Sequence, residues 1–284
     1  MRTWLYTPAN NPSRMVNAPL YGSDGVVFDL EDSIAHSEKD EARFLLEEAV
    51  GPILQDIRLQ QRPCQLAVRI NGLDTPWWKK DLLAALKAGI TLVRVPKVES
   101  VEELRNLEHQ IEAAERSLGL SAGSTTLQLI LETPVGIEQA FVLGGYSQRI
   151  TSLSFGAEDY CAYLGIKRKH AGYALDYPRS RLASAAAAFG IEAYDSVWGF
   201  LDDAAGLIED AQRAKQLGFT GKSVIHPNQI EAVNDIFTPG QEDVEAATKI
   251  LEAVQSQRDG VLAVDGRMVD TPVLLWAQRV LKNR

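Results

Sequence analysis

The chain has 284 residues, a formal net charge of −9 and 45% hydrophobic residues, enough for a sizeable core in one large domain or two small ones. A pI near 5.1 argues against a broad nucleic-acid surface, though not against a local basic patch for a phosphorylated ligand. Cys64 and Cys161 are the only cysteines, too few for a disulfide framework and without zinc-ligand spacing, so a reducing, cytoplasmic setting is the default.

Trp4–Thr7 reads as a first strand, reached without the charged-then-apolar profile of a signal peptide. A polar loop follows, with Asn11 or Ser13 as helix cap and Arg14 in the first turn. Gly25–Leu30 is a second strand ending in Glu31 and Asp32, and Ser37 is expected to cap a helix running through Val50. Gln65–Ile70 is the third, followed by Asn71, Gly72 and a helix beginning near Thr75 and Pro76. Thr91–Lys97 is the fourth, with a charged amphipathic helix from Ser100 to about Glu115. The fifth and sixth, starting at Thr126 and Ile150, are short apolar runs that stop at a carboxylate, Glu132 or Asp159, and pass into helical patterns. A loop-rich insertion, Gly165–Gly172, carries the basic Lys167–His170 cluster ahead of an alanine-rich helix near Ser180–Phe189. Gly190–Tyr194 and Gly221–Pro227 complete eight strands, with helices at about Leu201–Leu217 and Asn228–Phe237.

This alternation predicts a (β/α)8 TIM barrel with a C-terminal helical/hairpin extension, since such a barrel needs about 250 residues. An open doubly wound sheet is the alternative, but no Gly-x-Gly-x-x-Gly turn opens the chain. Residues 1–238 are read as the catalytic barrel and 239–284 as the extension. The extension holds a helix near Glu242–Gln257, a hairpin-like Gly260–Gly266 and a last helix, Thr271–Lys282. Its Val261, Leu262, Val264, Leu274, Leu275 and Trp276 need a surface to cover, and a neighbouring subunit would offer one. No apolar run approaches the roughly 18 residues of a membrane span.

Barrel enzymes place their chemistry at C-terminal strand ends. Glu132 and Asp159 are therefore either a shared site for a hard cation such as Mg²⁺ or two solvated loop acids. Arg69 is either a fork for a substrate carboxylate or an exposed ion-pair partner. Glu31 and Asp32 either bind metal waters and orient Arg69, or form salt bridges at the rim. Lys97 and His226 either line the pocket or serve packing and hydrogen bonding. Without a Ser-His-Asp pattern or a Schiff-base lysine context, a covalent mechanism is disfavoured.

Nine strings in order resemble the citrate lyase beta-subunit-like family of the HpcH/HpaI aldolase superfamily. They are Tyr6–Asn10 with Arg14, Phe28–Asp32, Val68–Asn71, Val95–Lys97, Leu131–Gly136, Phe155–Asp159, Tyr177–Arg181, Gly221–Pro227 and Val264–Pro272. The resemblance spans nearly the whole chain. It implies a homo-oligomer, trimeric or hexameric, and Mg²⁺-dependent chemistry at a C–C bond of a 3-hydroxyacyl thioester carried on coenzyme A or an acyl carrier protein. It further implies that Glu132 and Asp159, not Glu158, are the metal ligands, with Glu132 also at the substrate. Arg69 is expected to hold the substrate carboxylate. Asp270 is expected as acid–base on the acetyl methyl group, reaching in from a neighbouring subunit, although the same residue is placed to cap the last helix. Tyr6, Thr7, Asn11 and Arg14 are expected to bind the coenzyme A arm, with Lys167–His170 as a further phosphate candidate. Cleavage would release acetyl-CoA and a 2-oxo acid: pyruvate from citramalyl-CoA, the version the overall resemblance favours, or oxaloacetate from citryl-CoA. Alternatives are a citryl-acyl-carrier-protein lyase subunit of a citrate lyase complex, a malate-synthase or thioesterase-like activity, and a non-catalytic barrel that binds CoA esters.

Overall fold

The computed structural model describes residues 1–59, 64–256, 262–264 and 267–282. Eight strands form a closed parallel barrel: β1 (Thr3–Pro8), β2 (Gly25–Asp29), β3 (Gln65–Arg69), β4 (Leu92–Val95), β5 (Thr126–Leu131), β6 (Ile150–Phe155), β7 (Glu192–Asp195) and β8 (Gly221–Val224), in sequential order. β8 pairs back onto β1, Thr3 opposite Lys222. The helices between them are α1 (Pro12–Asn17), α2 (Lys39–Leu59), α3 (Trp78–Lys87), α4 (Val101–Leu118), α5 (Pro134–Glu138), α6 (Ala140–Gly144), α7 (Ala157–Leu164), α8 (Asp176–Phe189) and α9 (Ala204–Gln216). α10 (Ile230–Phe237) follows β8. This is the (β/α)8 TIM barrel that the alternation predicts.

Strand parity decides what the barrel contains. Register partners Trp4 and Gly25, Tyr6 and Val27, and Val27 and Ala67 share a face, and they pack in one buried cluster with Leu92 and Tyr194. Gly25 makes room for this layer: a Cβ there would lie 2.4 Å from the Trp4 ring. The other face of the wall also carries charge. Lys222, fully buried on β8, donates to Asp195 and Asp210 at 2.6 Å each. Arg179 of α8 grips Asp195 through two bonds of 2.9 Å, and Arg168 holds Asp210 at 2.8 Å. This network ties β7, β8, α8 and α9 together.

Several boundaries differ from the sequence reading, each for a local reason. Ser37 is not a helix cap; it sits in a 3₁₀ turn, His36–Glu38, and α2 starts at Lys39. The Lys39 ammonium donates to the Leu30 and Glu31 carbonyls, which pins the chain there. α2 then continues past Gly51 and Pro52 because Val50 and Ile53 are buried, so packing overrides two weak helix formers. Thr75 turns back to donate to Gly72 O, and α3 begins three residues later. The Gly165–Gly172 insertion holds a 3₁₀ turn, Arg168–His170, and α8 starts at Asp176. Ser100 caps α4 through a capping box with Glu103, as its spacing suggests.

The chain divides into two compact units, Met1–Asn234 and Asp235–Arg284. In the second, α11 (Gln241–Ser256) and α12 (Thr271–Lys282) share a small core of Ala247, Ile250, Val273 and Ala277. β9 (Leu262–Val264) pairs antiparallel with β10 (Arg267–Val269). Of the expected hairpin-like stretch, Gly260, Val261, Asp265 and Gly266 lie outside the described residues. Met268, Leu275 and Trp276 are exposed. Among the described residues no helix is long and apolar enough to cross a membrane.

Glu115 offers a direct check on the outer wall. Burial alone would raise its pKa, but Arg149 and the Thr125 and Gly123 N–H groups outweigh burial and hold the carboxyl at about 2. A folded-state value below the unfolded one stabilises the fold above the ordinary carboxylate range, and that contribution is lost as pH falls towards 2. Glu115→Gln should therefore destabilise by about 1–3 kcal/mol near neutral pH. Melting curves should show the gap to wild type closing between about pH 5 and pH 2.

Candidate active site

The C-terminal strand ends open into a cavity of about 420 Å³, lined by Tyr6, Thr7, Arg14, Arg69, Glu132 and Asp159 among others. Arg69 is the last residue of β3, and its register partner is Asp29, the last residue of β2. Parity points both side chains the same way, and they form a two-bonded pair: Nε to Oδ1 at 2.7 Å and Nη2 to Oδ2 at 2.8 Å. Burial would raise the Asp29 pKa, but Arg69 overrides it and keeps the carboxylate charged. The remaining edge of the guanidinium faces two more acids. Nη1 donates to Asp32 Oδ2 at 3.3 Å and lies 2.7 Å from Glu31 Oε2. The latter is a charge contact outside hydrogen-bond geometry, so that Glu31 oxygen has no hydrogen-bond partner. Sequence reasoning placed Glu31 and Asp32 near Arg69 but missed Asp29. The signal was the equal distance of Asp29 and Arg69 from the ends of neighbouring strands.

Glu132 directly follows β5, and the chain turns away because Thr133 caps α5 by accepting from Gly136 N. The Glu132 side chain is buried and its Oε1 has no hydrogen-bond partner. Burial first, then the nearby Glu31 and Asp159 charges, push its pKa up to about 8. Gly156 permits this packing: a Cβ there would sit 2.3 Å from Glu132 Oε2 and 2.4 Å from its Cβ. Asp159 is not at the strand end itself. β6 stops at Phe155, and Asp159 lies in the first turn of α7, where the helix dipole favours a carboxylate. Its neighbour Glu158 is turned towards Arg168, with Oε1 3.9 Å from Nε.

One cation serves several of these acids. Lys97 Nζ is 3.0 Å from Glu31 Oε1 and 3.9 Å from Asp159 Oδ1. Burial would lower its pKa, but Glu31, Glu132 and Asp159 together raise it. Lys97 has φ of 55°, the one non-glycine residue with positive φ among those described, so backbone strain is held at this point. Lys39, Asn71 and Asp81 support the arrangement from behind: Asn71 Nδ2 donates to Leu30 O and to Asp81, and Asp81 pairs with Arg43. Among the described residues no three His, Cys, Asp or Glu side chains are grouped to cage a metal. Glu132 and Asp159 offer oxygen donors of the kind that suits a hard divalent cation, which keeps positions for water and substrate. A buried carboxylate with an orphan oxygen, crowded by like charges, fits such an ion.

The residues expected to hold a coenzyme separate. Thr7 and Arg14 line the cavity. Asn11 does not, and its carbonyl oxygen caps α1 by accepting from Arg14 N at 3.0 Å. Tyr6 lines the cavity as well, with its hydroxyl oxygen 3.1 Å from Arg94 Nη1. Within Lys167–His170, Arg168 is buried on Asp210 and stacks on Trp198, and Lys169 Nζ is 3.8 Å from Asp203. Arg168 is thus a structural cation. His226 Nδ1 accepts from Asn228 N as a cap. Asp270 belongs to the second unit, where it is exposed and caps α12 through Val273 N at 3.2 Å.

A closed parallel barrel whose mouth gathers an arginine and several carboxylates has the layout of a TIM-barrel enzyme. Comparison with known proteins narrows this. The family HpcH/HpaI aldolase/citrate lyase matches residues 2–227. Citrate lyase subunit beta of Leuconostoc mesenteroides subsp. cremoris is 38% identical over 284 residues, covering 99% of this chain and 92% of that protein. L-malyl-CoA/beta-methylmalyl-CoA lyase of Cereibacter sphaeroides is 29% identical over 305 residues, covering 99% and 94%. Among solved structures, Mycobacterium tuberculosis CitE in complex with magnesium, acetoacetate and coenzyme A is 30% identical with a TM-score of 0.74, covering 99% of this chain and 97% of that one. The chain belongs to the HpcH/HpaI aldolase/citrate lyase family.

Because only glycine fits against Glu132, Gly156→Ala should displace that carboxylate while leaving the barrel folded. Mg²⁺ affinity measured by calorimetry should fall by about 10–100-fold, with far-UV circular dichroism unchanged.

Proposed function

We propose that this enzyme cleaves a 3-hydroxyacyl thioester of the citryl or citramalyl type into an acetyl thioester and a 2-oxo acid, with Mg²⁺ held by Glu132 and Asp159. Family membership makes the chain a carbon–carbon lyase; the substrate and the residue roles are the proposal. The observation that carries it is Glu132, a buried carboxylate with an unpartnered oxygen, crowded by Glu31 and Asp159 in the cavity that Arg69 also lines.

When bound, Mg²⁺ polarises the hydroxyl that becomes the ketone and aligns the carboxylate beside it. Arg69, fixed by its two bonds to Asp29, meets that carboxylate through its outer edge, which Glu31 and Asp32 now share. Lys97 keeps Glu31 paired while this edge is in use. As the C–C bond breaks, the hydroxyl proton passes by way of water to the Asp270 carboxylate, the C–O–H carbon becomes the carbonyl and the bonding pair passes to the acetyl carbon. Asp270 then protonates that carbon, delivered by a neighbouring copy in a trimeric or hexameric assembly. Thr7 and Arg14 hold the coenzyme arm at the cavity mouth. A second reading is favoured by the 38% identity to a citrate lyase subunit beta: the thioester would ride on an acyl carrier protein.

Purified protein with Mg²⁺ should release oxaloacetate or pyruvate from the matching CoA ester, and EDTA should stop it. Glu132→Ala and Asp159→Ala are each expected to lose at least about 100-fold in turnover. Asp270→Asn should lower kcat by about 10²–10⁴-fold with little change in KM. Mixing Glu132→Ala and Asp270→Asn copies should restore part of the activity. Wild-type turnover in Glu132→Ala would remove the metal assignment, and cleavage confined to a carrier-protein thioester would favour the second reading.

A further inference from the structure

Beneath the cavity floor, the interior of the barrel holds a second arginine. Arg94 on β4 is fully buried. Its hydrogen bonds go to neutral groups: Nε donates to Gln128 Oε1, and Nη1 to Tyr6 Oη at 3.1 Å and Ser223 Oγ at 3.4 Å, while Nη2 has no partner. Aromatic rings surround the guanidinium, with the Trp4, Tyr6 and Tyr194 centroids at 4.7, 5.5 and 5.8 Å. Those faces offset part of the charge. Arginine does not deprotonate in proteins, so the barrel retains a buried cation that, among the described residues, pairs with no carboxylate. Such a charge is costly unless a ligand completes it.

Tyr6 connects this cation to the cavity. Its ring is shared by two guanidinium groups, Arg94 at 5.5 Å and Arg69 at 5.1 Å, and it lines the cavity together with Ser154 and Ser223. Since Arg94 donates to the phenolic oxygen, the Tyr6 O–H proton is free to donate elsewhere, and among the described residues nothing takes it. Ser154 Oγ, buried elsewhere in the same lining, also has no partner. We infer that Arg94 is a positioning residue for the bound acid: it holds Tyr6 as an acceptor, so that the Tyr6 O–H donates to a carboxylate oxygen of the ligand above an uncompensated positive charge. The inference rests on reading the cavity as a 2-oxo-acid site.

Calorimetric titration of oxaloacetate in the presence of Mg²⁺ tests this without turnover. The proteins to compare are wild type, Tyr6→Phe, Arg94→Met, Arg94→Lys and the Tyr6→Phe/Arg94→Met pair, with melting curves for each. Tyr6→Phe and Arg94→Met should each weaken binding by about tenfold, the loss of one charge-assisted hydrogen bond. The pair should bind about as weakly as the weaker single variant, because the two act in series, and Arg94→Lys should recover part of the loss. Losses that multiply in the pair, to about a hundredfold, would overturn the inference. So would wild-type affinity in Tyr6→Phe, a variant that removes one hydroxyl and stands even if Arg94 variants fail to fold. A wild type that binds oxaloacetate yet cleaves no thioester would refute the lyase reading alone. A wild type that binds no 2-oxo acid would overturn this inference.

Discussion

The site depends on an imbalance of charge at the barrel mouth. Asp29, Glu31, Asp32, Glu132 and Asp159 gather around Arg69 and Lys97. Like charges 4 Å apart repel by about 4 kcal/mol at an effective dielectric of 20, and burial together with the Glu31 and Asp159 charges raises the Glu132 pKa. The cations are divided unequally. Asp29 takes two bonds from Arg69 and is settled, Glu31 takes Lys97, and Glu132 is left with burial and like-charged neighbours. The fold sustains this arrangement from behind, with Lys39 on two backbone carbonyls and Asn71 held by Asp81. The positive φ at Lys97 belongs to the same strain.

A second buried ionic cluster shows what a satisfied arrangement looks like. Lys222, Arg179 and Arg168 meet Asp195 and Asp210, and hydrogen bonds join every cation in it to a carboxylate. Asp210 is held well below the usual carboxylate range: burial would raise it, but Lys222, Arg179 and Arg168 outweigh that. Two of its members, Arg179 and Lys222, come from Tyr177–Arg181 and Gly221–Pro227, strings that resemble the family as strongly as those around Glu132. Family resemblance therefore marks two kinds of residue alike, and the balance of charge separates them. Where acids and bases pair, the residues join strands to helices. Where they do not, the protein has reserved a place for something else.

Much of this was legible in the sequence because it depends on local pattern. Eight alternations announced the barrel, and strand ends marked Arg69 and Glu132. What escaped depends on register and parity between strands far apart in sequence. Asp29 and Arg69 lie 40 residues apart and meet because β2 and β3 end level. Asp159 was placed at a strand end, but four residues of loop and helix carry it onto α7. Asn11 was given two roles, and the geometry spends its carbonyl oxygen on the cap. The Lys167–His170 cluster looked like a solvated phosphate site, yet its central arginine runs inward to Asp210. Linear sequence does not show which way a side chain faces when the backbone is irregular.

Arg94 carries that point furthest. It stands one residue before the Val95–Lys97 string and shares its inward parity with Leu92 on β4. In sequence it reads as a lone cation in an apolar strand, which ordinarily argues that the strand faces water. The barrel resolves the contradiction by surrounding the guanidinium with Trp4, Tyr6 and Tyr194. Arg69 and Arg94 then act differently on the same Tyr6 ring. Arg69 is neutralised by Asp29 and gives direction; Arg94 has no counter-ion and gives potential. A cavity rimmed with acids would otherwise repel an anionic substrate. On the proposed reading, a positive floor beneath an acidic rim would let a divalent cation and a carboxylate share one space, each on the side of opposite charge.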